Sequence, residues 1–358
     1  MKITLQTALC EQLQIRYPIF LAGMAGGPST PELTAAVSEA GGLGTLGAAY
    51  MEPEAIRAAV RRIKERTAAP FAVNLFVTQA GDDNTRIHEV QSELNKMRHQ
   101  LGLPDAAGNE VRTPHWFEEQ FAVLLEEKVP VISTAFGVLP AAFMQSAASS
   151  GIKVVSMVTT VREAVLAQEM GCDAIVAQGS EAGGHRSTFA LDDHPMGANI
   201  GTMALIPQIV DKVTIPVIAA GGIMDGRGLA AALMLGAQGV QLGTRFLTAV
   251  ESGTNPAYRA ALLASNEEST VLTKAFSGRP ARGIKNTFIR QWEATGVAPL
   301  AFPTQNTITR DIRNAAGARQ QAEYLSLWAG QGTRMLTADH TAKQIVDEVI
   351  QQAKALID

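Results

Sequence analysis

The stretch Ala177 to His185, AQGSEAGGH, delivers one histidine at the end of a turn containing three glycines. Imidazole changes protonation near neutral pH. Aimed into a cleft, it could take a proton from a carbon acid or hydrogen-bond an anionic substrate. Gly183 and Gly184 would let the backbone pass close to a bound group. Gln178 before the turn, and Asn74 earlier in the chain, carry amides that both donate and accept. Such groups suit the edge of a flat heterocycle. Gly23 and the apolar Met24 would add a wall beside it. Two more places invite an anion. One is the pair Gly221 and Gly222; the other is Gln241-Leu242-Gly243-Thr244. Glycine admits an anion to the backbone N–H groups, and the threonine hydroxyl adds a donor. The chain has neither a Walker A motif nor an acidic cluster for a metal, so no metal is expected. Asp192-Asp193-His194 reads as a solvated loop. A phosphorylated cofactor such as FMN fits better than a phosphorylated substrate. Glu181 reads as a residue that caps or orients the turn. His88, His99, His115 and His340 read as solvated, and His194 is a candidate for the mouth of the site.

These residues need a frame that sets them side by side. Eight apolar runs supply one: 18–24, 42–49, 71–77, 129–136, 153–160, 172–179, 215–222 and 239–247. Most are continuous rather than alternating, as strands buried on both faces are. Alanine-rich helical stretches separate most of them. One begins Thr30-Pro31, a cap followed by a first-turn proline, and closes on Gly41; another begins at Asp225. Alternating strands and helices give a parallel sheet. Eight units favour a closed (β/α)8 TIM barrel, an α/β fold of typically ~250 residues, over an open doubly wound sheet. Barrel sites lie at the C-terminal strand ends, with phosphate often held after the seventh and eighth strands. Those are the positions of Gly221, Gly222, Gly243 and Thr244. An insertion is expected after strand three, over 80–128, and a larger one after strand eight. The expected division is a barrel of 1–249 plus 336–358 and a lid of 250–335 over the catalytic face. A closing helix, TAKQIVDEVIQQAKAL, ends the chain. Gly42-Leu43-Gly44-Thr45-Leu46-Gly47 matches G-x-G-x-x-G, but a helix precedes it and the glycines lie within the second strand. That context opposes a dinucleotide fingerprint and favours close packing of strand and helix.

Bulk properties exclude several roles. The 358 residues carry a net charge of −4, which opposes general nucleic-acid binding. The two cysteines, Cys10 and Cys172, give no disulfide framework or metal spacing and suit a reducing cytoplasm. Glutamines break the apolar run near the N-terminus, so no signal peptide is read there. No uninterrupted apolar segment is long enough to span a membrane. Monomer and homodimer are both compatible with these properties.

Taken together, AQGSEAGGHR, AAGGI and QLGTRFL resemble the nitronate monooxygenases, formerly called 2-nitropropane dioxygenases. The resemblance runs from YPIFLAGMAG to YLSLWAGQG. It implies a TIM barrel, non-covalent FMN, and oxidation of alkyl nitronates by O2 to a carbonyl compound and nitrite through a flavin semiquinone. It places FMN contacts at Gly23, Met24, Asn74, Gln178, Gly183, Gly184, Gly221, Gly222, Gln241, Leu242, Gly243 and Thr244, with His185 as the catalytic residue. Ser277, within SGRPAR, matches the region near the cofactor less strongly. Some relatives have tyrosines around the substrate. None of Tyr17, Tyr50, Tyr258 and Tyr324 is expected on those positions, where this chain reads AFPTQN. The loop after His185 reads RSTF. The main alternative is a flavin reductase using NAD(P)H on the same barrel, acting on a quinone or an enoyl thioester. A non-enzymatic flavin- or phosphate-binding protein and a phosphosugar isomerase rank below it.

Overall fold

The computed structural model describes residues 4–78, 81–106 and 110–357. Six strands come first: β1 (Ile19–Leu21), β2 (Gly44–Gly47), β3 (Phe71–Phe76), β4 (Val131–Ala135), β5 (Lys153–Val158) and β6 (Ala174–Gln178). A two-residue β7 (Gly184–His185) precedes β8 (Val217–Ala220) and β9 (Gly239–Leu242). Eight of these, all but β7, pair in parallel in the order β1-β9-β8-β6-β5-β4-β3-β2. The two edges then meet. The Leu21 N–H donates to Leu43 O at 2.9 Å, and the Leu43 N–H donates to Ile19 O at 2.8 Å. The sheet is therefore a closed (β/α)8 barrel, and the open-sheet alternative is set aside.

Strand alternation decides which residues reach the site. Phe20, Ala72, Ala174, Val176, Ile218 and Ala220 fill the barrel interior. Their neighbours Ile19, Leu21, Val73, Leu75, Ile175, Ala177 and Leu242 pack outward with the helices. The same period turns Asn74, Gln178 and Gln241 inward at the C-terminal end. The opposite end is plugged by the helix Ala8–Leu13, whose Leu9, Cys10 and Leu13 join the interior layer. No element is expected there from the apolar pattern; the helix is too short to show a period.

The glycines of 42–47 do serve packing. A Cβ on Gly44 would lie 1.8 Å from Thr34 O in the helix Pro31–Glu39, and one on Gly42 would lie 2.6 Å from Ile19 O. Thr30 caps that helix, and Asp225 caps Gly226–Met234, as their sequences suggest.

The two inserted regions pack on each other. Ile87, Val90, Leu94 and Met97 of the helix Ile87–Gln100 meet Phe276, Phe288, Ile289 and Trp292 of the late insertion. Arg98, 1% exposed, reaches across to Asp311 at 2.8 Å. The first inserted segment is shorter than 80–128, because the helix Phe117–Glu126 covers the barrel through Phe121, Val123 and Leu124. In the late insertion, β10 (Thr270–Thr273) and β11 (Ala281–Ile284) are antiparallel, and β11 also pairs with β7, setting Ala281 opposite His185. The final helix, Ala342–Ile357, packs on Gly226–Met234 and Pro31–Glu39. No helix among the described residues is long and apolar enough to cross a membrane.

Candidate active site

A cavity of about 810 Å³ opens at the C-terminal strand ends. Gly23, Met24, Asn74, Gln178, Gly183, Gly184, His185, Gly221, Gly222, Gln241, Gly243 and Thr244 all line it. Leu242 does not; the strand alternation sends its side chain into the outer core, at 1% exposure.

The turn that carries His185 is held from three sides. The Gln178 amide donates to His185 O and accepts from the Ser187 N–H, both at 2.9 Å. The sequence reading puts this amide against a heterocycle; in the structure both its carbonyl and its amino group clamp the turn. Glu181 accepts from the backbone N–H and hydroxyl of Thr202, the first residue of the helix Thr202–Val210. A carboxylate is favoured there by the open N–H groups and the helix dipole. Ala329 and Gly330 cross the turn so closely that a Cβ on Gly183 would lie 2.5 Å from the Gly330 nitrogen.

His185 itself is ringed by aromatics. Phe136 and Trp328 lie 5.8 and 5.4 Å from it, and Phe76 and Phe302 lie 6.3 and 6.4 Å away. Its Nε2 is 2.8 Å from the Ser277 hydroxyl. Burial, then the charges of Arg279 and Arg313, pull its pKa down to about 3.

Three arginines are packed around the turn. Arg186, Arg279 and Arg282 are all buried. Arg186 donates to Gln178 O, Gly179 O and Ala198 O, Arg279 to Thr188 O, and Arg282 to Ser180 O. None forms an ion pair among the described residues. Arg279 also lies over the Phe136 ring at 4.0 Å. The carboxylates of Glu163 and Glu181 act on these cations through space and offset part of their charge.

The opposite wall is backbone. Gly221 and Gly222 have φ of +118° and +69°, a region that favours glycine. A Cβ on Gly221 would lie 2.7 Å from Thr202 Oγ1. Gly243 caps the 3₁₀ turn Thr244–Phe246. Among the described residues no acceptor is found for the N–H groups of Gly222, Gly243 or Thr244. Open N–H groups at glycines and a short helix start are what a phosphate needs. Asn74 and Gln241, with Met24 alongside, give a flat ligand an edge and a face. The donor set therefore fits a phosphorylated heterocycle such as FMN.

Several cavity residues escape sequence reasoning. Tyr50 and Tyr258 line the wall, although neither is expected near the substrate. The Tyr258 hydroxyl donates to Trp328 O. Phe302, Asn306, Arg310 and Arg313 come from the late insertion, and His115 reaches the rim from the first. The AFPTQN stretch supplies Phe302 to the wall. His194 is exposed and does not line the cavity. No group of acidic, histidine or cysteine residues able to hold a metal is found among the described residues.

Comparison with known proteins gives a consistent picture. The family described as Nitronate monooxygenase matches residues 6–352. A probable nitronate monooxygenase of Staphylococcus haemolyticus is 40% identical over 353 residues, covering 98% of this chain and 97% of that protein. Among solved structures, a nitroalkane oxidase from Streptomyces ansochromogenes superposes with a TM-score of 0.90 at 36% identity, covering 98% of each chain. FabK from Thermotoga maritima superposes at 0.78 with 30% identity, covering 99% of this chain and 98% of its own.

Proposed function

The chain belongs to the nitronate monooxygenase family, and on that premise we propose that it binds FMN and oxidises alkyl nitronates with O2 to a carbonyl compound and nitrite. The observation that carries this reading is a histidine held in an aromatic cage at the strand ends, lining the same cavity as an open-backbone glycine cradle.

Gly221, Gly222, Gly243 and Thr244 would hold the phosphate. Gly23, Met24, Asn74, Gln178, Gly183, Gly184 and Gln241 would surround the ring. When bound, FMN supplies electron-accepting capacity and reactivity toward O2. The protein's own work is binding and orientation. Arg279 and Arg313 favour an anionic nitro group beside His185. Phe76, Phe136, Phe302 and Trp328 exclude water and give the alkyl chain apolar contact. His185 lines the cavity among these groups and would orient the substrate beside the ring. Two buried free cysteines suit a cytoplasmic setting.

The test is an anaerobic mix of the FMN-loaded protein with ethylnitronate, alongside NADH and NADPH, following the flavin spectrum. Reduction by nitronate alone supports the reading. Rapid bleaching by a nicotinamide, with nitronate inert, would turn the assignment to the reductase alternative. No flavin uptake at all would remove both.

A further inference from the structure

Ser277 lies in a tight turn of SGR. A Cβ on Gly278 would lie 2.2 Å from Leu300 O, so the turn has little room to relax. The Ser277 hydroxyl is 1% exposed and has three neighbours. It donates to Arg279 O at 3.0 Å, accepts from the Arg279 N–H at 3.3 Å, and meets His185 Nε2 at 2.8 Å. A hydroxyl has one proton and two lone pairs. Arg279 O can only accept, and it has no other donor among the described residues. If the hydroxyl proton stays on Arg279 O, the imidazole nitrogen must bring its own proton. The reverse arrangement leaves a buried carbonyl unsatisfied, which is disfavoured.

We propose that Ser277 is a positioning residue that holds His185 as the Nε2–H tautomer, so that Nδ1 offers a bare lone pair to the cavity. Nδ1 has no partner among the described residues. Phe76, Phe136, Phe302 and Trp328 offer no acceptor to a second N–H. The charged groups facing the ring, Arg279 and Arg313, are cations that keep the ring unprotonated until an anion forms beside it. A site in this state cannot donate a hydrogen bond to a nitronate from Nδ1. It can instead accept the α-proton of a neutral nitroalkane. In that step the C–H bond breaks, its electron pair forms the C=N bond of the nitronate, and the proton moves to Nδ1. The imidazolium so formed then donates to the nitronate it has made. The substrate part of this inference rests on the nitronate-oxidation reading; the tautomer part does not.

The experiment uses FMN-loaded protein labelled with ¹⁵N-histidine. The His185 ring signals are assigned by their loss in His185→Gln. A long-range ¹H–¹⁵N spectrum is expected to show protonated Nε2 and bare Nδ1 between about pH 5 and 9. In Ser277→Ala the ring is expected to show mixed tautomers. There, kcat/KM for nitroethane should fall about 10- to 100-fold, while that for ethylnitronate falls less than about threefold. Ser277→Thr should restore both tautomer and rate. An Nδ1–H tautomer in the wild type overturns the proposal. So does an equal loss with both substrates and an unchanged spectrum. Turnover of nitronate but not nitroethane by the wild type overturns the substrate part. If neither substrate reacts, the nitronate reading is lost, and the ring spectrum alone decides: Nε2–H sustains the role of Ser277, Nδ1–H removes it.

Discussion

The cradle wall and the cover wall of the cavity meet at His185 but are built by different means. Gly221, Gly222, Gly243 and Thr244 follow directly on β8 and β9, and they present backbone. Ser277, Phe302, Arg313 and Trp328 come from the late insertion and present side chains. On the first wall, shape is set by φ angles and by the absence of Cβ atoms. On the second, it is set by contacts between residues far apart in the chain. The contrast predicts a division of labour. The cradle should decide whether a cofactor binds, and the cover should decide the protonation state and selectivity of the histidine.

The strongest test of that division is His185→Asn. Its kcat/KM should fall about 10²- to 10⁴-fold, with FMN affinity nearly unchanged in a fluorescence titration. A parallel loss of FMN would dissolve the distinction. Gly221→Ala should do the converse. Its φ of +118° and the nearby Thr202 hydroxyl strain any side chain there. Strain of about 1–3 kcal/mol at this turn should lower the unfolding free energy of the apoprotein by that amount, and a turn that shifts to relieve it should also weaken FMN, read in the same fluorescence titration. Phe302→Ala should sharpen the comparison from the cover side. Admitting water relieves the burial that holds His185 near 3, so its pKa should rise toward the ordinary ~6.5. A protonated imidazole cannot act as a base. The acid limb of the kcat/KM profile should therefore move to higher pH, with FMN binding unaltered; an unmoved limb would separate the cage from the pKa. Glu181→Ala should have the smallest effect. Losing the carboxylate at the start of Thr202–Val210 should cost about 1 kcal/mol in denaturant unfolding, with a modest drop in kcat as the turn loosens.

Much of the barrel was legible because its signals are local. The apolar runs mark all eight strands, and Thr30-Pro31 and Asp225 mark helix starts. The glycine pairs after β8 and β9 announce unusual backbone without needing any partner. Period-two alternation could also have removed Leu242 from the cavity, since Gln241 faces inward. The helix Ala8–Leu13 and the barrel helix Phe117–Glu126 were harder. One is under two turns long, and the other lies inside a charged region that reads as insertion throughout.

By itself, the sequence determined the strand–helix alternation, the cradle glycines and the histidine at the end of its turn. Each depends on a few neighbouring residues and the backbone angles they allow. Only the tertiary structure decided what surrounds the histidine. The Ser277 hydroxyl is 92 residues from His185 in sequence. Phe76 and Phe136 leave separate strands to meet Phe302 beside it. Arg279 settles over Phe136 only once β11 has paired with β7. Ring closure and the packing of two insertions bring these groups together. The protonation state of the imidazole follows from that assembly, because desolvation and charge act through space rather than along the chain.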